Sequence, residues 1–225
     1  MIIEHMRTFL VLTVLVGCSG DDAAPDAKLD AAPTLDCRSY CTQIQTNCTE
    51  GNAQYPDEAH CMAACASFTV GNSTVSDMLG HTLGCRVYHA GVPSRNDPVT
   101  HCAHAGPGGD HLMASPPAAC SGGDVCTTFC TLDFKACGSL DAPLPGNPTD
   151  STGNRLFQYR DMTDCLTVCA GFDKTHPYRT TSAGNSLACR LLHATRAAIN
   201  LDNAKAECRY TGMVPLGPCD GVATP

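Results

Sequence analysis

The sequence predicts a mainly α protein: two tandem disulfide-stapled small helical modules, loop-rich, with about three helices each. Three observations carry that reading. Sixteen of the seventeen cysteines form two sets of eight with one spacing grammar. Within each set, the cysteines fall at helical intervals. No stretch shows the sustained alternation of apolar and polar residues that marks a strand. The first set is Cys37, Cys41, Cys48, Cys61, Cys65, Cys85, Cys102 and Cys120; the second is Cys126, Cys130, Cys137, Cys165, Cys169, Cys189, Cys208 and Cys219. Each opens with two cysteines three residues apart and a third six residues further on. Each later repeats the three-residue gap and then leaves nineteen residues to the next cysteine.

The same duplication extends beyond the cysteines. Residues 54–90 align with 158–194 without a gap at an offset of 104, and 13 of the 37 positions are identical. The retained pairs include Gln54/Gln158, Tyr55/Tyr159, Asp57/Asp161, Phe68/Phe172, Arg86/Arg190 and His89/His193.

Taken in order, residues 1–17 read as an export signal, with Arg7 before an apolar run from Phe9 to Val16 broken only by Thr13. That run is too short for a membrane span, which needs about 20 residues. Residues 18–35 are rich in Asp, Ala and Pro and too poor in large apolar side chains to order themselves, so they read as a tether. Residues 36–122 form the first eight-cysteine module and 123–225 the second.

In the first module, Cys37, Cys41, Ile44 and Cys48 lie on one helical stripe. Cys61, Cys65 and Phe68 lie on another, with Asp57 as the N-terminal cap. A third helix is expected from about Asp77 to Ala90. The second module repeats this with Cys126/Cys130/Cys137, Cys165/Cys169/Phe172 and a helix from Ser186 to about Ala198. A 27-residue gap between Cys137 and Cys165 replaces the 12 residues between Cys48 and Cys61. The extra material holds Pro143, Pro145, Gly146, Asn147, Pro148 and Gly153, a surface-loop composition. The link between the sets, Ser121 to Val125, is short enough to bring the modules into contact.

Two helices that each carry Cys-x3-Cys zip antiparallel, because the two sulfurs on each lie about 6 Å apart along the axis. The simplest register joins Cys37 to Cys65, Cys41 to Cys61, Cys126 to Cys169 and Cys130 to Cys165. Cys48–Cys85, Cys102–Cys120, Cys137–Cys189 and Cys208–Cys219 complete the expected set. This helical hairpin resembles the twin Cys-x3-Cys hairpins of small mitochondrial import chaperones, without the extra cysteines.

The cysteine content places the mature chain in an oxidising compartment. Formal net charge is −8. There is no basic cluster for nucleic acid or anionic lipid. Trp is absent and aromatics are 5%, so cross-links carry much of the stability.

The run Leu15-Val16-Gly17-Cys18 resembles the lipobox of bacterial lipoproteins. The resemblance implies lipid attachment at Cys18 after removal of residues 1–17. It also leaves an even sixteen cysteines for disulfides. Ser19 after the lipidated residue implies delivery to the outer membrane. Together with the doubled cysteine pattern and the runs Cys85-Arg86-Val87-Tyr88-His89-Ala90 and His101-Cys102-Ala103-His104-Ala105-Gly106-Pro107, the chain resembles cysteine-rich bacterial envelope lipoproteins.

Histidines are the foremost candidates for chemistry. His89 and His193 are the histidines kept in both copies. A structural reading sets each at a helix C-terminus, where the dipole favours a cation, with Arg86 paired to Asp57 and Arg190 to Asp161. A functional reading adds the loop-borne His101 and His104, with His111 nearby: His89, His101, His104 and His111 then offer nitrogen ligands to copper, zinc or nickel. The second copy has Glu207-Cys208-Arg209-Tyr210 in that place.

No nucleophile elbow, zinc-protease motif or phosphate loop is present, no Cys-x-x-Cys occurs, and the carboxylates form no evident acid/base pair. The expected function is a non-catalytic envelope lipoprotein with no cofactor. It would be anchored to the membrane through its N-terminal lipid and present divergent loops to a protein or glycan partner. The alternative is a metal-binding lipoprotein using the first module's histidines.

Overall fold

A computed structural model describes residues 33–109, 119–122, 124–214 and 216–221. The signal, Cys18 and most of the tether lie outside the described residues, as does His111. Contacts group Pro33–Pro225 into one unit. Among the described residues the secondary structure is helical, with isolated single-residue bridges and no strands. No helix of the described residues is long and apolar enough to cross a membrane.

The first copy contains α1 (Cys37–Asn47), α2 (Glu58–Cys65), α3 (Leu83–Ala90), α4 (Val92–Asn96) and α5 (Pro98–Ala105). The second contains α6 (Val125–Cys137), α7 (Met162–Ala170), α8 (Leu187–Ala197) and α9 (Leu201–Glu207), followed by a 3-10 turn at Cys208–Tyr210. Short polar side chains start these helices by accepting an otherwise orphaned backbone N–H. Asp36 and Asp124 cap α1 and α6, Asp57 and Asp161 cap α2 and α7, and Thr82 and Ser186 cap α3 and α8. Because Thr82 is the cap, α3 starts at Leu83. The expected helical residues 77–82 are extended chain and turn, pinned where the Leu83 amide donates to the Thr69 carbonyl at 2.8 Å.

The copies repeat a common aromatic centre. Tyr40 stands edge-on to Tyr55 and Phe68, with centroids 6.3 and 5.9 Å apart. Phe129 stands edge-on to Tyr159 and Phe172 at 6.1 and 6.2 Å. One apolar core runs through both copies, from Tyr40, Ile44 and Val87 to Phe129, Leu187 and Leu191. At the junction the Lys135 ammonium donates to the Ala66 carbonyl.

Disulfides staple this frame. Cys37–Cys65 and Cys41–Cys61 zip α1 to α2, and Cys126–Cys169 and Cys130–Cys165 zip α6 to α7. The remaining four differ from the expected Cys48–Cys85, Cys102–Cys120, Cys137–Cys189 and Cys208–Cys219. The bonds are Cys48–Cys102, Cys85–Cys120, Cys137–Cys208 and Cys189–Cys219.

Helices that the spacing did not single out cause the exchange. After α3 the chain turns back through α4 and α5, and α5 packs on α3 and α1. The end of α1 meets the C-terminal end of α3, where Asn47 Nδ2 donates to the Ala90 carbonyl at 2.7 Å. Cys85 is five residues earlier on α3, about 7.5 Å up the axis at 1.5 Å per residue. Cys102 on α5 is therefore the sulfur beside Cys48. Cys85 instead faces the 119–120 segment, held by the Gly80 amide on the Ala119 carbonyl at 2.7 Å. The Gly184 amide makes the same 2.7 Å bond to the Pro218 carbonyl in the second copy.

Candidate functional site

The segment holding His101 and His104 is a helix, not the loop expected of it. Asp97 accepts from the Thr100 amide at 3.3 Å and Pro98 occupies the first turn, a combination that favours helix initiation. Spacing of three on α5 puts both imidazoles on one face. That face packs against the end of α3, where His89 is buried.

Three ring nitrogens meet there. His89 Nδ1 lies 2.9 Å from His101 Nδ1 and 3.4 Å from His104 Nδ1. The His89 and His101 rings stack at 5.1 Å, and His104 stands edge-on to both. His89 Nε2 is 3.0 Å from the Met78 carbonyl. A carbonyl only accepts, so Nε2 carries the hydrogen and a neutral His89 presents a lone pair at Nδ1. Burial, and then the neighbouring His104, hold His101 below its ordinary pKa. Of the four histidines singled out in the sequence, the structure brings together His89, His101 and His104; His111 lies outside the described residues.

The second copy carries a related constellation with different residues. His193 Nδ1 is hydrogen-bonded to the Glu207 carboxylate, and Tyr210 stands against the His193 ring at 4.8 Å. Glu207 and Tyr210 flank Cys208 as His101 and His104 flank Cys102. The sulfurs of Cys85–Cys120 lie close to His89, and those of Cys189–Cys219 close to His193. Both pairs are oxidised, so neither offers a thiolate.

The expected pairing of Arg86 with Asp57 and of Arg190 with Asp161 is not made. Both arginines are buried against rings, 3.9 Å over Phe68 and 4.0 Å over Phe172. Asp57 and Asp161 are occupied in capping α2 and α7.

The long insertion of the second copy builds a different feature. Gly138 ends α6 with φ +77, a backbone that L side chains rarely adopt, and an added Cβ would stand 2.8 Å from the Leu144 amide. The insertion then folds back under its own side chains. Leu156 is buried and Leu144 partly buried in a small core with Ala136, Cys137, Ala197, Ala204 and Cys208. Asp150 accepts from the Thr152 and Asn154 amides at 2.8 and 2.9 Å, closing the tip.

Between the insertion and α9 lies an open cavity of about 740 Å³. Pro145, Pro148 and Ser151 line one wall, and Leu201, Lys205 and Arg209 the other. Sequence reasoning singled out the insertion but not the α9 wall, because seven residues without an apolar stripe carry no periodic signal. Also missed was Asp133, fully buried on α6. Its signal was present: Asp133 falls three residues after Cys130, where Ile44 follows Cys41.

Residues 18–128 match the family model of the BfoA family C-terminal domain, just under half of the chain. The match opens at Cys18, spans the first copy and ends within the first turn of α6. It marks that part as similar to a BfoA C-terminal domain. No curated protein and no solved structure matches the chain.

Proposed function

We propose that this disulfide-rich helical protein is a non-catalytic envelope lipoprotein, anchored through Cys18, whose second copy docks a protein partner between the 138–157 insertion and α9. The cavity of about 740 Å³ carries this reading. Its size suits a peptide segment or a few side chains, in the range of ordinary binding clefts. Its walls mix apolar surface from Pro145, Pro148 and Leu201 with charge from Asp202, Lys205 and Arg209.

Glycan sites commonly stack sugar faces on aromatic rings, and among the described residues no aromatic side chain lines this cavity, which favours a protein partner. The wall is preorganised by the Leu144/Leu156 core and the closed Asp150 turn, so little ordering cost opposes binding. The Lys205–Asp202 pair spans 3.4 Å at an exposed site, where such pairs contribute little and exchange partners readily. The lipobox and the cysteine content support the envelope assignment.

Two measurements test it. Cys18→Ser should move the chain from the membrane fraction to the soluble fraction; retention in the membrane would rule out the lipid anchor. A photo-cross-linking residue at Ser151, in cells of the native host, should give a discrete protein adduct that Lys205→Glu/Arg209→Glu abolishes. The same adduct from Glu58 on the first copy, or none from Ser151, would remove the cavity from consideration.

A further inference from the structure

We propose that His89, His101 and His104 form a three-nitrogen site for a late divalent transition metal such as Zn2+, lying in the first copy and absent from the second. The three donors lie within 4.8 Å of one another, and the two separations from His89 are close to those of a metal centre. Two nitrogens each about 2.0–2.1 Å from a tetrahedral ion stand about 3.3–3.4 Å apart. The His89–His104 separation of 3.4 Å already matches, and His101 at 2.9 Å needs to open by a few tenths of an ångström. His101 is only partly buried at the surface of α5, so its ring has room to turn.

The surroundings of His89 suit a ligand. Its Nε2–H is fixed on the Met78 carbonyl, the second contact that typically orients a metal-bound imidazole and selects which nitrogen binds. The Cys85–Cys120 sulfurs beside it are locked in a disulfide, so the donor set is nitrogen alone. Three imidazoles without thiolate suit zinc, nickel or cupric copper and not a soft monovalent ion. His101 and His104 are only partly buried, which leaves room for solvent at the fourth coordination position.

The second copy shows how the same scaffold satisfies a lone buried histidine. There Glu207 takes the ring hydrogen of His193 and Tyr210 covers the ring. A structural histidine at this place is thus fully accommodated by one carboxylate. The first copy has two further imidazoles instead, so that three ring nitrogens are placed where one ion can share them.

The test uses the full chain with its disulfides intact, stripped by chelator and titrated with Zn2+, and separately with Co2+. The expected result is one equivalent of Zn2+ per chain, and for Co2+ the intense visible bands of a tetrahedral nitrogen-bound ion. His101→Gln/His104→Tyr should weaken Zn2+ binding roughly a hundredfold or more, because loss of a ligand exceeds the 10–100-fold that loss of an outer partner costs. His193→Ala should leave it unchanged. Circular dichroism and the absence of any free thiol other than Cys18 confirm folding of each variant, and His104→Ala alone replaces the double variant if that one fails. Absence of stoichiometric uptake, uptake that survives the double variant, or uptake lost with His193→Ala would each overturn the proposal.

Discussion

The Arg86 guanidinium carbon lies 3.9 Å over the centre of the Phe68 ring, and Arg190 over Phe172 repeats the contact at 4.0 Å. The two arginines differ in what else they touch. Arg190 donates to the Gly212 carbonyl at 3.0 Å, the Ser186 carbonyl at 3.0 Å and Asn185 Oδ1 at 2.7 Å. Arg86 donates to the Thr82 carbonyl at 3.3 Å, and its Nε and Nη2 have no hydrogen-bond partner among the described residues. A buried charge with few partners is often replaced by an apolar side chain without loss. Arg86→Met should therefore leave stability unchanged or raise it by about 1–2 kcal/mol. Arg190→Met should lower it by about 1–3 kcal/mol, because buried acceptors lose their donors. Denaturant unfolding of the two variants decides it; equal losses would refute the distinction.

Asp133 makes stability depend on pH. It is fully buried where the first copy has Ile44, and neither oxygen has a hydrogen-bond partner within 3.5 Å among the described residues. Burial pushes its carboxyl up to about 7, outweighing the opposing Thr211 hydroxyl. The folded state thus holds this proton more tightly than the unfolded chain. The stabilisation is fully present below the unfolded value near 4 and is lost as pH rises to about 7. His81 works in the other direction. Burial, then Arg86, push it down to about 4, so its contribution is present above about 6.5 and lost as pH falls toward 4. The two oppose each other across the same window, so the Asp133 share is read as wild type minus Asp133→Asn. Wild type should gain on the variant by about 2–4 kcal/mol between pH 7.5 and pH 4.5, since each tenfold difference in proton affinity is worth about 1.4 kcal/mol. A flat difference would show that Asp133 reaches water.

The bonds Cys48–Cys102 and Cys137–Cys208 tie the end of each copy's first helix to the seventh cysteine of its set. Non-reducing peptide mapping should recover both, with no Cys48–Cys85 or Cys137–Cys189 peptide. Cys137→Ala/Cys208→Ala should cost about 2–5 kcal/mol, read from the thermal midpoint. It should also loosen the insertion, because Cys137 and Cys208 belong to the small core under Leu144 and Leu156. Unchanged hydrogen exchange at Leu144 and Leu156 would count against that coupling.

Tyr40 relays a hydrogen bond that the second copy makes directly. Its hydroxyl lies 2.9 Å from that of Tyr55 and donates to the Ala105 carbonyl at 2.7 Å. With Phe129 in the corresponding place, Tyr159 donates to the Thr211 carbonyl itself at 2.7 Å. Tyr40→Phe should cost about 1–2 kcal/mol by leaving the Tyr55 hydroxyl and the Ala105 carbonyl buried without each other's relay. Adding Tyr55→Phe should cost little more, and a fully additive second loss would contradict the relay.

The helical hairpins were legible because the cysteine spacing carries both the helix period and the antiparallel register, as Cys37, Cys41, Cys61 and Cys65 show. Asp57 and Asp161 were legible as caps for a local reason: each bonds a backbone amide three residues away. What failed was non-local. The Arg86–Asp57 pair assumed that opposite charges find each other, but burial placed the guanidinium on Phe68 and left Asp57 with its helix. The last two disulfides of each copy depended on helices too short to show a period. The histidine cluster was half-legible: the residues were named from their spacing, whereas the helix carrying them and the exclusion of solvent from His89 were not.

The sequence by itself determined the duplication, the helical hairpins and the residue types available at each site, because all of these follow from spacing and composition along the chain. The tertiary structure alone decided the other two disulfides of each copy. It also brought three imidazole nitrogens together in one copy and His193 onto Glu207 in the other. And it opened a cavity between the insertion and α9. These depend on how α5 and α9 fold back over α3 and α8, a choice set by packing against the shared core and by no local preference of the segments themselves.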